Sequence, residues 1–158
     1  MMDLQDLYQE LIIDHGTKPR NCVVLENANG TAQGFNPLCG DQVRVFLRIE
    51  DQGIQEASFT GKGCAICMAS ASLMTETLTG QSTEKVLALC HRFRSLIAGV
   101  TPTAPTHDPT VDTSLGKLSA LLGVRAFPSR VKCATLPWHT LEAAIAQKVG
   151  VDSVSTET

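Results

Sequence analysis

The chain has 158 residues, the length of one domain and enough to bury about two-thirds of the surface that the unfolded chain exposes. Hydrophobic residues make up 43% and charged residues 18%, which is typical of globular proteins and excludes a disordered chain. The net charge of −3 argues against binding to nucleic acid or to a membrane surface through bulk positive charge.

The six cysteines are the most informative part of the composition. No apolar run reaches the length of a membrane span, and residues 1–20 lack the small-residue cleavage site of a secretory signal. We therefore expect a cytoplasmic protein without a membrane partner, in which disulfides would be reduced. This cysteine content favours metal or thiol chemistry.

The first half of the chain predicts one helix followed by strands. Residues 3–15 carry an apolar stripe at helical spacing, and Gly16 and Pro19 end this helix. Residues 31–35 can form a weak edge strand. Residues 43–50 largely alternate apolar and polar side chains, which predicts a strand with one buried face.

A returning strand is predicted over residues 54–60, antiparallel to the strand over residues 43–50. The loop between them, residues 51–53, ends in Gly53, which is available for a positive φ in the turn. These two strands and the weaker one before them predict a small antiparallel sheet.

The second half of the chain predicts helices. Residues 65–78 are rich in Ala and Ser, which lets a helix approach its neighbours closely. An apolar stripe over residues 86–97 predicts a second helix, with Ser82 or Thr83 as its N-cap. A Pro/Thr-rich loop and then a short leucine-rich helix over residues 115–122 follow.

The last predicted helix has Thr135 as its cap and Pro137 in its first turn, where a missing N–H is harmless. Residues 150–158 are expected to be frayed. The pattern as a whole predicts a single α+β domain, in which a small three-stranded antiparallel sheet packs against about five helices.

Three cysteines and one aspartate are expected where their side chains can act as metal ligands. Cys39 and Asp41 lie at the entrance to the strong strand, and Gly40 between them permits a tight turn. Cys64 is expected at a helix start, where free N–H groups favour a thiolate, and Cys133 is likewise expected to precede a helix. Three thiols and a carboxylate suit a tetrahedral ion such as Zn²⁺, but their spacing is not that of a zinc finger.

The other three cysteines have simpler explanations. Cys90 lies on an apolar helix stripe and is expected to be a core residue. Cys22 lies in a loop and is expected to be incidental. Cys67 lies one helical turn from Cys64, so it is a spare ligand or a second thiol.

The four histidines are not expected to bind metal. His91 and His139 lie on helices beside polar residues, and His107 lies in the Pro/Thr loop, so all three are expected to be solvated. His15 ends the first helix, where a local helix cap is the simplest explanation.

Several segments, in this order, resemble the U-type iron–sulfur assembly proteins, the family of IscU, SufU and the N-terminal domain of NifU. The segments are 37–41 (PLCGD), 61–64 (GKGC), 69–72 (ASAS) and 130–136 (RVKCATL), together with His15, Pro19, Arg20 and Asn21. The resemblance covers about residues 3–149 and implies that these residues form one domain.

Two features resemble the SufU branch of this family. Lys132 precedes the last cysteine where the IscU branch has His, and an insert over about residues 98–123 separates Cys64 from Cys133. Cys67 departs from this branch, whose members usually lack a thiol at that position.

The resemblance implies zinc held by Cys39, Asp41, Cys64 and Cys133. It also implies a sulfurtransferase-like carrier, rather than a stand-alone enzyme. Such a carrier takes persulfide sulfur from a SufS-type cysteine desulfurase and passes it to a downstream iron–sulfur assembly complex. Our hypothesis is that Cys39 accepts the sulfur and that Arg130 offsets the negative charge of the site.

Two other functions fit the same residues. The thiols could bind iron and assemble a 2Fe–2S cluster, which would make the protein a scaffold. Alternatively, the zinc could be structural, in an interaction module without transfer chemistry. Lys132 in place of His favours the transferase over the scaffold, and the cations Arg130 and Lys132 beside Cys133 favour either over an inert module.

Overall fold

A computed structural model describes residues 4–37, 40–97, 118, 120–122, 124, 127–147 and 154–155. Its elements are α1 Leu4–Thr17, β1 Gly30–Asn36, β2 Asp41–Glu50, β3 Gly53–Lys62, α2 Ala65–Leu78, α3 Thr83–Ile97, α4 Pro128–Gln147 and β4 Val154–Ser155. The predicted α+β class is confirmed, with four α-helices in the described part of the chain where about five were expected.

The sheet has the order β3–β2–β1–β4, and its three long strands are antiparallel, as predicted. The side chains of β2 that face the core include Val43, Val45, Leu47 and Ile49. This alternation arises because one face of the sheet packs against helices. The two-residue strand β4 pairs in parallel with β1, within the tail that was expected to be frayed.

The hairpin between β2 and β3 has a different turn from the predicted one. Glu50 pairs with Gly53, so the turn consists of Asp51 and Gln52, which have φ angles of 52° and 63°. Two left-handed residues in a two-residue turn are typical of a type I′ turn, whose twist suits antiparallel strands. The predicted loop over residues 51–53 is one residue too long, since Gly53 is already the first residue of β3, and the positive φ angles belong to Asp51 and Gln52.

The helices α2 and α4 cover the buried face of the sheet. α4 packs against β1 and β2, α2 packs against β3 and α4, and α1 packs on α2. The ring of Trp138 in α4 is fully buried and lies 4.8 Å from the ring of Phe93 in α3. Among the described residues, no helix is both long and apolar enough to cross a membrane.

Two of the three helices in the second half of the chain, α2 and α3, begin where the sequence predicts. α2 has the predicted bounds, and Ser82 caps α3 by accepting a hydrogen bond from the N–H of Lys85 at 3.1 Å. The described residues of the predicted leucine-rich helix, which are Leu118 and residues 120–122, have 3₁₀ geometry. The rest of that segment lies outside the described residues.

The prediction for the start of α4 is wrong. α4 begins at Pro128, a favourable first residue because its missing N–H would have no helical partner there. Thr135 and Pro137 therefore lie inside the helix. Pro137 removes the N–H that would bond to the carbonyl of Cys133, which weakens the helical ladder at this turn.

Candidate metal centre

Three elements meet at one corner of the fold: the start of β2, the N-terminus of α2 and the second turn of α4. They bring together Asp41, Cys64 and Cys133, whose ligand atoms all lie within 4.8 Å of one another. Asp41 and Cys133 are buried, and Cys64 is half-buried. The fold thus unites three of the four predicted ligands, while Cys39 lies outside the described residues. The binding of a metal by these residues stays a prediction.

Asp41 is held in place by the backbone around it. It follows Gly40, whose φ of 75° lets the chain turn into β2. Its Oδ1 accepts a hydrogen bond from the N–H of Cys64 at 2.9 Å, and its Oδ2 lies 4.0 Å from the sulfur of Cys64. Any side chain at Gly63 would collide with the Asp41 carboxylate. The glycine therefore permits this close approach.

Cys64 is the N-cap of α2, so the predicted helix start is confirmed. Its sulfur accepts a hydrogen bond from the N–H of Cys67 at 3.5 Å. The first N–H groups of a helix carry partial positive charge and have no helical acceptor. Cys64 is thus placed where a negatively charged sulfur is stabilised.

Cys133 lies in the second turn of α4 and does not precede the helix, so that prediction is wrong. Its sulfur is 3.5 Å from the carbonyl oxygen of Ser129, one turn earlier. Arg130 is exposed in the first turn of α4, and Lys132 is half-buried. The cations expected near the site are thus on the same helix as Cys133, and their role there stays a prediction.

These donors fit zinc chemically. Zinc binds cysteine sulfur at about 2.3 Å and carboxylate oxygen at about 2.1 Å, so donors around a tetrahedral ion lie about 3.5–3.8 Å apart. The three ligand atoms lie within 4.8 Å of one another, so their separations are close to this range. Asp41 can offer Oδ2 while Oδ1 remains bonded to Cys64.

The remaining described cysteines lie outside this group of ligands. Cys90 is fully buried, as predicted, and burial raises its pKa to about 12. Cys67 is fully buried within the apolar core, one turn into α2. Cys22 is half-buried and packs against the core, and this burial raises its pKa.

The histidine predictions are only partly right. His91 is exposed, as expected, whereas His139 is half-buried with Nδ1 3.1 Å from Nη1 of Arg94. His15 is 2% exposed and is no local cap, since its Nδ1 lies 2.7 Å from the hydroxyl oxygen of Ser72 in α2. His107 lies outside the described residues.

His15 belongs to a group of polar contacts between α1, its following loop and α2 that local sequence patterns do not predict. The hydroxyl oxygen of Ser72 also accepts a hydrogen bond from the N–H of Arg20 at 2.8 Å, and the amide of Asn21 donates to Thr75 at 3.1 Å. His15, Arg20 and Asn21, three of the residues that carry the family resemblance, thereby fasten α1 and its following loop to α2. The available signal was Ser72 and Thr75 one turn apart in the predicted helix over residues 65–78, since their hydroxyls require hydrogen-bond partners once they are buried.

Known proteins share this fold and much of this sequence. The crystal structure of a candidate iron–sulfur cluster assembly scaffold protein for the SUF system from Fervidobacterium islandicum AW-1 superposes with a TM-score of 0.78 at 30% identity. The match covers 90% of this chain and 99% of that one.

Two curated relatives match along nearly their whole lengths. The zinc-dependent sulfurtransferase SufU of Bacillus subtilis is 38% identical over 94% of this chain and 95% of its own. The iron–sulfur cluster assembly scaffold protein IscU of Streptococcus pyogenes is 31% identical over 98% and 92%, respectively. Residues 7–134 match the NifU-like N-terminal domain. The chain therefore belongs to the NifU-like N-terminal domain family, which includes these IscU and SufU relatives.

Proposed function

We propose that this protein is a zinc-dependent sulfur acceptor in iron–sulfur cluster assembly. The observation that carries the proposal is the convergence of Asp41, Cys64 and Cys133 from three separate elements, with ligand atoms within 4.8 Å of one another. The similarity to a zinc-dependent sulfurtransferase over 94% of this chain supports it. The predicted domain over residues 3–149 is part of the same proposal.

The proposed ligands are Cys39, Asp41, Cys64 and Cys133. Zinc, when bound, keeps its thiol ligands deprotonated. The chain contributes the N-terminus of α2, which stabilises negative charge on Cys64, and the backbone N–H that holds Asp41 Oδ1. Arg130 lies three residues before Cys133, on the adjacent helix surface, and offsets part of the negative charge of the site.

Cys39 is the residue that we assign as sulfur acceptor. It comes two residues before Asp41, the first residue of β2, whereas Cys64 and Cys133 are fixed by α2 and α4. Its thiolate attacks the terminal sulfur of the persulfide that the partner, a cysteine desulfurase, carries on its own cysteine. A new S–S bond forms on Cys39, the partner's S–S bond breaks, and its electron pair stays on the partner's cysteine as a thiolate. The exchange needs no external oxidant or reductant.

An opening beside Asp41 supports access by such a partner. A cavity of about 180 Å³ is lined by residues that include Phe35, Pro37 and Gly40 as well as Asp41. Phe35 is 45% exposed, and an exposed aromatic side chain is a common anchor in protein interfaces. The partner that we propose is a SufS-type cysteine desulfurase in the cytoplasm, followed by a downstream iron–sulfur assembly complex.

The test combines metal analysis of the purified protein with desulfurase turnover in its presence and absence. Bound zinc with strong stimulation is expected. Cys39→Ala should abolish sulfur acceptance, while the matched variant Cys22→Ala, at a half-buried cysteine outside the site, should retain it. Full acceptance by Cys39→Ala contradicts the assignment, and zinc without stimulation leaves a structural zinc module.

The alternative function is a scaffold for an iron–sulfur cluster. The similarity to an IscU scaffold over 98% of this chain favours it, because thiolate ligands suit iron–sulfur clusters as well as zinc. In this case the purified protein, reconstituted with iron and sulfide, should carry a coloured cluster that transfers to an acceptor protein. A colourless zinc protein that stimulates the desulfurase argues for the sulfur acceptor.

A further inference from the structure

We propose that Ser70 is a positioning residue for the metal centre. Its hydroxyl holds the turn of α4 that carries Cys133 against α2, the helix that carries Cys64 at its N-cap. This inference rests on the metal centre of the proposed function, but it concerns a side chain that is not itself a ligand.

Two hydrogen bonds connect Ser70 to α4. Its hydroxyl donates to the carbonyl oxygen of Ala134 at 2.5 Å and accepts from the indole N–H of Trp138 at 3.0 Å. Ser70, Ala134 and Trp138 are all fully buried. Because both bonds reach one side of α4, they fix how far this helix can slide or rotate against α2.

The position of these bonds links them to the site. Ala134 directly follows Cys133, so the Ser70 bond acts on the peptide group beside the ligand. Pro137 has removed the N–H that would bond to the Cys133 carbonyl, and a proline at such a point weakens and kinks a helix. Apolar packing is non-directional, so it does not by itself set the position of this weakened turn. The Ser70 hydroxyl supplies the missing directional constraint.

Ser72 provides a matched control within the same helix. It is also fully buried, and its hydroxyl also has two partners, but these are His15 in α1 and the N–H of Arg20. Replacement of either serine by alanine removes one buried hydroxyl from α2. Only the Ser70 variant releases α4.

The experiment is a titration of metal-free wild type, Ser70→Ala and Ser72→Ala with Co²⁺, followed by displacement with Zn²⁺. Thiolate-to-cobalt absorption bands report the ligand geometry, and denaturant unfolding reports stability. We expect Ser70→Ala to bind about ten-fold more weakly, with altered bands, because loss of a group that orients a ligand typically costs this much. Ser72→Ala should lose stability but bind within about twofold of wild type, since the ligands remain in place.

Each outcome bears on the proposal. Unchanged affinity and spectrum for Ser70→Ala overturn it, as does an equal loss of affinity in Ser72→Ala. If Ser70→Ala does not fold, Trp138→Phe removes one of the two bonds and should still weaken Co²⁺ binding several-fold; unchanged binding then overturns the proposal. A wild-type protein without thiolate–cobalt bands overturns the metal centre itself, which separates that failure from a failure of Ser70 alone.

Discussion

Cys64 and Cys90 show that the surroundings of a cysteine determine whether its thiol is a candidate ligand or a packed core group. Cys64 lies at the N-cap of α2, with its sulfur 4.0 Å from Asp41 Oδ2 and 3.5 Å from the N–H of Cys67. Cys90 lies in the middle of α3, fully buried. Burial raises its pKa to about 12, with Glu142 adding to the rise and Arg94 opposing it.

The difference lies in what surrounds each sulfur. At the candidate metal centre, three chain segments meet, and backbone N–H groups at a helix start stabilise negative charge. In α3, all backbone groups near Cys90 are used by the helix, and the apolar surroundings penalise a thiolate. A cysteine is therefore a candidate ligand where several chain elements converge and polar groups surround its sulfur. A cysteine on the apolar stripe of a helix, such as Cys90, is a core residue.

The strongest test removes a thiol from each region. Cys64→Ala and Cys133→Ala should purify without zinc, because each removes one of the converging donors. Cys90→Ala should retain full zinc and lose about 1 kcal/mol of unfolding free energy, as expected for a small cavity. Elemental analysis and denaturant unfolding measure both quantities. Loss of zinc from Cys90→Ala would contradict the separation of the two regions.

The reactivity of the thiols extends the same comparison. After removal of metal by a chelator, an alkylating reagent at about pH 8 should label half-buried Cys64 but not Cys90 in the native protein. A pKa of about 12 leaves about one Cys90 in ten thousand as thiolate at that pH, before burial further limits access. Mass spectrometry of the peptides measures the labelling rates. In denaturant both cysteines should react, and fast native labelling of Cys90 would refute its assignment to the core.

A single methyl group at Gly63 should weaken the metal centre without removing a donor. In Gly63→Ala, the new side chain would meet the Asp41 carboxylate, which must move away from Cys64. Zinc affinity is expected to fall by about ten- to a hundred-fold, the usual effect of disturbing the groups that orient ligands.

Gly53→Ala is the matched control for this effect. A side chain there would be no closer than 3.5 Å to its neighbours, at the start of β3. Competition with a chromophoric chelator gives both affinities. If the two variants bind zinc equally well, the close approach of Gly63 and Asp41 is not required for binding.

The local sequence predicts those parts of the site that depend on local structure. The alternation along β2 and the Ala/Ser-rich residues 65–78 place Asp41 at a strand start and Cys64 at a helix start, as found. Both positions follow from backbone requirements of neighbouring residues. Spacing alone could not show that Cys133 joins them, because the contact depends on how α4 packs against α2.

Two of the wrong predictions, those for Pro137 and His15, involve groups whose partners are distant in the sequence. Pro137 was expected near a helix start, but α4 includes it while Ser70 of α2 bonds to the same helix. His15 was expected to cap its own helix, but its Nδ1 is hydrogen-bonded to the hydroxyl of Ser72, which lies 57 residues later in the sequence. Local propensities are weak relative to such tertiary contacts.

The smallest expected effect concerns His139 of α4, whose partner Arg94 lies one turn after Cys90 in α3. Burial and then Arg94 lower the pKa of His139 below its usual value of 6.5. Arg94 can only donate, so Nδ1 of the neutral imidazole accepts its hydrogen bond at 3.1 Å, while Arg94 Nη2 pairs with Glu142 at 2.9 Å. Protonation of His139 would therefore bring two cations together.

This arrangement makes stability depend on pH in a defined direction. Because the unfolded chain binds a proton at His139 near pH 6.5 and the folded protein only at lower pH, the unfolding free energy falls as pH decreases through this interval. Above about pH 6.5, His139 contributes no pH dependence. His139→Gln keeps a hydrogen-bond acceptor but cannot titrate, so it should lose less stability than wild type between about pH 7.5 and 5.5. Denaturant unfolding measures the stability of both proteins at each pH. Acid effects at the candidate metal centre are common to both, so they cancel in the difference between the two unfolding free energies. An equal pH dependence of the two unfolding free energies would show that His139 is not the titrating group.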